Sequence, residues 1–149
     1  MRSFLPALAA LPLVLTSLAA CDSGDGDAPF GNLSPLGTWD RRDSTAVTVE
    51  SGTLYVVFNQ TLVLSGSRSA PTGTLTTLYD APPGTRPSPP AVATVTGTFD
   101  GYALKLTLTH PSRTVTWNGS VGITNQFLGF TDETGKQIAF LRREAEPSK

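Results

Sequence analysis

Few residues in this sequence could perform chemistry at a fixed site. The chain has one histidine, His110, and one cysteine, Cys21. A catalytic triad needs an imidazole held by a carboxylate and a nucleophile, and a structural zinc or a disulfide needs several such ligands. His110 precedes Pro111 in a predicted turn, which favours a solvated turn residue over a catalytic base. We therefore expect no enzymatic activity, no cofactor and no metal site. Cys21 is then the residue whose chemistry remains to be explained.

The N-terminal segment has the pattern of an export signal. A short positive start at Arg2 is followed by an apolar run from Phe4 to Ala19 that contains Pro6 and Pro12. A membrane-spanning helix needs about 20 consecutive apolar residues. The run is too short and too interrupted for that role, so we expect it to be removed.

The end of this run, Leu18-Ala19-Ala20-Cys21, resembles the lipobox of bacterial lipoproteins. The resemblance implies acylation of the Cys21 sulfur and cleavage between Ala20 and Cys21. Several acyl chains anchor a protein stably without crossing the bilayer. The alternative is an ordinary cysteine after a conventional cleavage site, which would leave a reactive, unpaired thiol. The expected location is the extracytoplasmic or periplasmic face of a bacterial membrane, with the membrane itself as one partner.

Charge excludes another class of partner. The formal net charge is −1, and cleavage after Ala20 would remove Arg2 and make it −2. A protein that binds nucleic acid needs a basic patch or stripe, which this sequence lacks. We therefore expect no nucleic-acid partner.

Composition divides the chain into four parts. Residues 1–20 are the predicted signal peptide, and 21–36 are the lipidated cysteine with a flexible tether rich in Asp, Gly and Pro. Fifteen flexible residues have a typical end-to-end span of about 20 Å. Residues 37–143 form the predicted barrel domain, and 144–149 are a short charged tail.

Alternating apolar and polar residues in the third part predict antiparallel strands with one core face and one wet face. The clearest cases are Tyr102 to Thr109, with Tyr102 and the following leucines inward, and Ala91 to Phe99. Asp100-Gly101 joins the two strands. Both central residues of a tight hairpin turn need positive φ, which Asp tolerates and Gly prefers. Val115 and Trp117 share a face on the next strand, and we expect most aromatic side chains to be core.

From Leu54 to Leu64, large apolar residues stand at even-numbered positions, as expected for one face of a strand. The stretch fits either one long strand or two. The segment Asp80 to Pro90 has five prolines in eleven residues and predicts an extended loop. About eight strands without a covering helix favour an all-β, antiparallel, up-and-down barrel, because closure removes exposed edges. A β-sandwich is the alternative.

Gly37-Thr38-Trp39 opens this domain and Arg142-Arg143 ends it. These short motifs are similar to those of the calycins, the superfamily of lipocalins and avidins. The resemblance implies that Trp39 plugs the closed end of the barrel and that an arginine packs over it. Arg142 has the parity of Ile138 and Phe140 and is therefore the expected lid.

Thr116-Trp117-Asn118-Gly119 is similar to the avidin branch, in which a late tryptophan lines the ligand pocket. The polar ligand ring of avidins has no residue-by-residue match in this sequence, so biotin binding is not expected. The candidate liners of a pocket are Phe99, Tyr102 and Trp117, which have compatible parity on neighbouring strands. The charged residues from Asp40 to Asp43 are expected to form a solvated surface patch.

Two functions follow from this pattern. The first is a lipid-anchored envelope protein that binds a small apolar ligand. The second is an envelope protein-interaction or inhibitor domain with a solid barrel core and no ligand.

Overall fold

The computed structural model describes residues 32–50, 52–81, 86 and 88–144. The predicted signal peptide, Cys21, the first part of the tether and most of the C-terminal tail lie outside the described residues. Among the described residues, no helix has the length and hydropathy to cross a membrane.

Eight antiparallel strands form one closed up-and-down barrel, in which each strand pairs with the next and the last returns to the first. This confirms the predicted fold class, and the closure of a single sheet excludes the sandwich. The strands are β1 Gly37–Val49, β2 Gly52–Gly66, β3 Pro71–Tyr79, β4 Ala91–Phe99, β5 Ala103–Thr109, β6 Thr114–Val121, β7 Phe127–Thr131 and β8 Gln137–Arg142. The end at which β1 begins and β8 ends is the closed end, and the opposite end is the mouth.

The hairpin between β4 and β5 lies where the sequence predicted it, but its geometry differs. The Asp100 amide donates to the Ala103 carbonyl at 3.3 Å, so the two central residues are Gly101 and Tyr102. Gly101 has φ +104°, and Asp100 contributes through its side chain, which accepts hydrogen bonds from the Tyr102 and Ala103 amides. The aspartate therefore caps the turn and needs no positive φ.

Alternation correctly predicted the core strands. Most inward side chains of β4 and β5, including Val95, Leu104 and Leu108, are buried, as are most of those of β6 and β8. The expectation that most aromatic residues are core is wrong in part, since Tyr55, Tyr79, Tyr102 and Phe127 are exposed. Three of them lie at or beyond the ends of strands, where alternation no longer decides burial: Tyr79, Tyr102 and Phe127. Tyr55 lies within β2 and is exposed because it faces outward.

The stretch that the sequence left open is one continuous strand, β2. Its second half pairs with both β1 and β3, whereas its first half pairs with β1 alone, because the β2–β3 register begins at Phe58. The strand β8 pairs with β1 only at Trp39 and Asp40. Residues 44–50 and 52–57 therefore extend beyond the mouth as a two-stranded ribbon. Six residues per strand at about 3.3 Å each give it a length of about 20 Å.

Candidate functional site

The closed end is sealed around Trp39. Its side chain is fully buried, and its Nε1 donates a hydrogen bond to the Pro35 carbonyl at 2.9 Å. The Arg142 guanidinium lies 4.2 Å from the centroid of the Trp39 ring. It also donates to the Asn125 carbonyl at 2.7 Å and the Ser34 carbonyl at 3.1 Å. Arg142 thus joins the entering chain, β8 and the β6–β7 turn by a cation–π contact and charge-assisted hydrogen bonds.

Asn125 completes this seal, a role that no motif of the sequence indicated. It has φ +58°, a left-handed conformation that asparagine tolerates better than most residues. Its Oδ1 accepts hydrogen bonds from the Ser34 amide at 3.2 Å and from Arg142 at 3.1 Å. The turn conformation thereby places one amide oxygen between the tether and the lid.

The three expected pocket liners do not meet in one cavity. Trp117 is buried and packs against Phe130 and Phe140, with ring centroids 5.6 and 5.9 Å apart. Phe99 is buried at the closed end, 5.5 Å from the Arg68 guanidinium. Tyr102 is 54% exposed, so its expected inward orientation is wrong. The reason is the hairpin geometry, since Tyr102 lies in the turn and precedes the alternation of β5.

An open pocket of about 220 Å³ lies beside β4, β5 and β6 near the closed end. Phe99 contributes to its wall, but Thr98, Lys105 and Asn118 are exposed residues of the outer surface. The pocket is therefore a surface depression and does not lead to Trp117.

A polar layer lies inside the barrel near the mouth. Arg41 shares the parity of Trp39, and its side chain is largely buried. It donates to Gln60 Oε1 at 3.1 Å and lies 5.5 Å from the Phe58 ring, while Gln60 donates in turn to Thr77 at 3.2 Å. These residues are cross-strand neighbours on β1, β2 and β3. The arrangement provides hydrogen-bonding groups on one side of an otherwise apolar interior.

Asp43 supplies the negative charge that pairs with Arg41 in this layer. Its carboxylate is paired with Arg41 and accepts a hydrogen bond from Lys136 Nζ at 3.0 Å. Hydrogen bonds from the Ser44 amide and from Lys136 are the main causes that lower the pKa of Asp43 to about 2. Two cations and one carboxylate therefore meet at the mouth.

We expect the Asp43 carboxylate to make the free energy of unfolding depend on pH. Because its pKa is about 2 in the fold and about 4 in an unfolded chain, its contribution is complete above pH 4 and disappears as the pH falls towards 2. Urea unfolding of the parent and Asp43→Asn proteins should differ by about 1 kcal/mol at pH 6, a value reduced for the partial exposure of Asp43. The difference should vanish near pH 2. A difference that is constant from pH 6 to pH 2 would contradict this assignment.

The expected surface patch from Asp40 to Asp43 is therefore only half correct. Asp40 lies on the outer surface, where its carboxylate accepts two hydrogen bonds from Arg143 at 2.6 and 2.7 Å across the β1–β8 closure. Arg42 pairs with Asp80 on the outside at 3.2 Å. Arg41 and Asp43 point inward because alternate residues of a strand face opposite sides.

The ribbon exposes apolar side chains on both of its faces. Val47 and Leu54 are opposite each other on its inner face and are 41% and 44% exposed, and Tyr55 on its outer face is 69% exposed. Glu50 is the only formal charge between Ser44 and Val57. Exposed apolar side chains without interspersed charge are typical of a surface that contacts a partner.

Comparisons with known proteins add no assignment. No family model matches the chain, and no curated protein or solved structure matches it significantly. In the described ranges, no three side chains of the metal-binding types cluster together.

Proposed function

We propose that this chain is a non-enzymatic lipoprotein of the bacterial cell envelope, anchored through Cys21, whose barrel holds the ribbon out to contact another protein. The observation that carries the proposal is the ribbon itself. It extends beyond the mouth, exposes Val47, Leu54 and Tyr55, and has no charge on either strand.

The direction of the chain supports this role. The tether joins the barrel at the closed end, where Leu33 and Pro35 are buried beside Trp39 and Arg142 holds the Ser34 carbonyl. The tip of the ribbon, Val49 and Gly52, is at the other end of β1. An anchor at Cys21 would therefore attach the barrel through its closed end, the end opposite the ribbon.

The interior of the barrel supports a scaffold. A continuous core fills the barrel from the closed end to its middle. Four of its side chains are fully buried: Trp39, Leu62, Leu106 and Phe140. Eight-stranded barrels can be filled by their own side chains in this way. Such a core gives the ribbon a rigid base, which lowers the entropy cost of binding at its exposed strands.

A small ligand at the mouth is a second candidate, and the polar layer favours it. Arg41, Gln60 and Thr77 would supply hydrogen bonds to a polar or anionic group, with Phe58 alongside. This differs from the purely apolar ligand expected from sequence. The packing of Trp117 against Phe130 and Phe140 would confine such a ligand to the mouth.

A photocrosslinking amino acid in place of Tyr55 tests the proposed function in cells of the native host. We expect irradiation to give a protein adduct of defined mass in the membrane fraction. The matched control is the same replacement at Leu141, which is 67% exposed on the outer wall of β8. No adduct from position 55, or equal adducts from both positions, would contradict docking at the ribbon.

A further inference from the structure

The free edge of β1 in the ribbon carries unused backbone groups. The Thr38 carbonyl of β1 accepts a hydrogen bond from the Arg143 amide at 2.8 Å and therefore points away from β2. Alternation along an antiparallel ladder then directs the N–H and C=O groups of Ser44, Ala46 and Thr48 away from β2.

Two contacts agree with this alternation. The Ser44 amide donates to Asp43 Oδ1 at 2.7 Å, and the carbonyl of Val57, its partner on β2, accepts from the Asp80 amide at 2.9 Å. Both groups therefore point out of the ribbon. Beyond Ser44, the amides of Ala46 and Thr48 have no hydrogen-bond partner among the described residues.

This edge lacks the usual protection against pairing. Natural edge strands are shielded by charged residues, proline or a bulge. The segment Ser44-Thr45-Ala46-Val47-Thr48-Val49 contains no charge and no proline, and its register with β2 runs without interruption. On the other edge of the ribbon, Asp80 already occupies the Val57 carbonyl, so the β1 edge is the more available one.

We infer that residues 44–49 of β1 pair antiparallel with the same residues of a second copy of this chain. This inference rests on the proposed docking role of the ribbon and names the partner. A two-fold axis at Ala46 places Ser44 opposite Thr48 of the second copy and gives about four ladder hydrogen bonds, since Asp43 occupies the Ser44 amide.

Charge and shape favour a second copy as the occupant. A charged partner strand would meet no opposite charge on this segment, whereas identical uncharged segments meet without repulsion. In the same register, Thr45 lies beside Val47 of the second copy on the inner face. This pairing would join the exposed Val47 and Leu54 of both copies into one face of a four-stranded sheet.

The symmetry has a consequence for the anchors. Antiparallel pairing of the ribbons places the two closed ends at opposite ends of the dimer. The two tethers then leave the dimer at its opposite ends.

Sedimentation equilibrium of the full chain, extracted from membranes in mild detergent, tests this pairing. We expect a monomer–dimer equilibrium whose dissociation constant rises about tenfold or more in Ala46→Lys, because two like charges then face each other at the axis. Leu141→Lys, which adds the same charge to the barrel wall, should leave the constant unchanged. A monomer at all concentrations up to about 100 μM, or a dimer that Ala46→Lys does not weaken, would overturn the inference.

Mild oxidation of Ala46→Cys gives a second readout, because a disulfide traps the dimer even when the two chains dissociate rapidly. We expect a disulfide-linked dimer from this variant and none from Leu141→Cys, with the unsubstituted chain as the blank for Cys21. Absence of the Ala46-linked dimer would overturn this register. If Tyr55 photocrosslinks to a different protein while the chain sediments as a monomer, the self-pairing fails and the proposed docking function stands. If position 55 gives no adduct at all, the docking function fails.

Discussion

Replacing Trp39 by alanine is expected to destabilise the barrel by about 4 kcal/mol, the range found for large aromatic side chains removed from cores. The side chain is fully buried, and its Nε1 satisfies the Pro35 carbonyl at 2.9 Å. Its loss would also leave the Arg142 guanidinium without the ring that lies 4.2 Å away. Urea unfolding of the full chain followed by circular dichroism measures this effect.

Trp39→Phe separates the components of that loss. It keeps an aromatic ring beneath Arg142 but removes the Nε1 donor and part of the volume. We expect about half of the destabilisation of Trp39→Ala. If the free energy of unfolding of Trp39→Ala lies within about 1 kcal/mol of the parent's, Trp39 does not seal the barrel.

The second large effect concerns Gly119 on β6. A Cβ at this position would lie 2.0 Å from the Gly129 carbonyl oxygen and 2.6 Å from Cδ1 of Phe130. Neither atom can move freely, because the first belongs to the β6–β7 ladder and the second to the core. We expect Gly119→Ala to cost about 3 kcal/mol or more in thermal or urea unfolding, as overpacking does elsewhere.

Gly129→Ala is the matched control on the facing strand. Its Cβ would meet only Cε2 of Phe127, at the ordinary distance of 3.9 Å. We expect a change within about 0.5 kcal/mol of the parent. Equal losses in the two variants would show that glycine flexibility, and not the close approach at Gly119, determines the effect.

Alternation within strands made much of the barrel predictable from sequence. It correctly indicated the buried faces of β4, β5 and β6, and it favoured Arg142 over Arg143. The structure brings Arg142 to Trp39 and leaves Arg143 outside with Asp40. Each of these inferences uses only the two-residue period of a strand, which the sequence records directly.

Other features depend on where strands begin and how far their neighbours reach. Tyr102 has the parity of Leu104, but it lies in a turn that Gly101 and the Asp100 side chain define. The inward position of Arg41 follows from the parity of Trp39, although runs of charge usually indicate solvent. Strand pairing beyond the mouth could not be derived, because alternation does not show that β3 and β8 leave the ribbon unpaired.

The structure therefore shifts the balance between the two functions expected from sequence. Trp117, the central candidate for an apolar pocket, is a core residue among Phe130 and Phe140. The ribbon, whose extent was not expected, provides exposed apolar side chains at the end opposite the tether. We infer a solid scaffold with a docking edge, and a ligand site at most in the mouth.

Native mass spectrometry of the protein, released in mild detergent from the membranes of its own host, tests this account most directly. We predict a chain that begins at Cys21, carries covalent acyl mass on that residue and retains a protein partner without a small molecule. An unmodified Cys21, or a monomer that retains a stoichiometric small ligand, would contradict it.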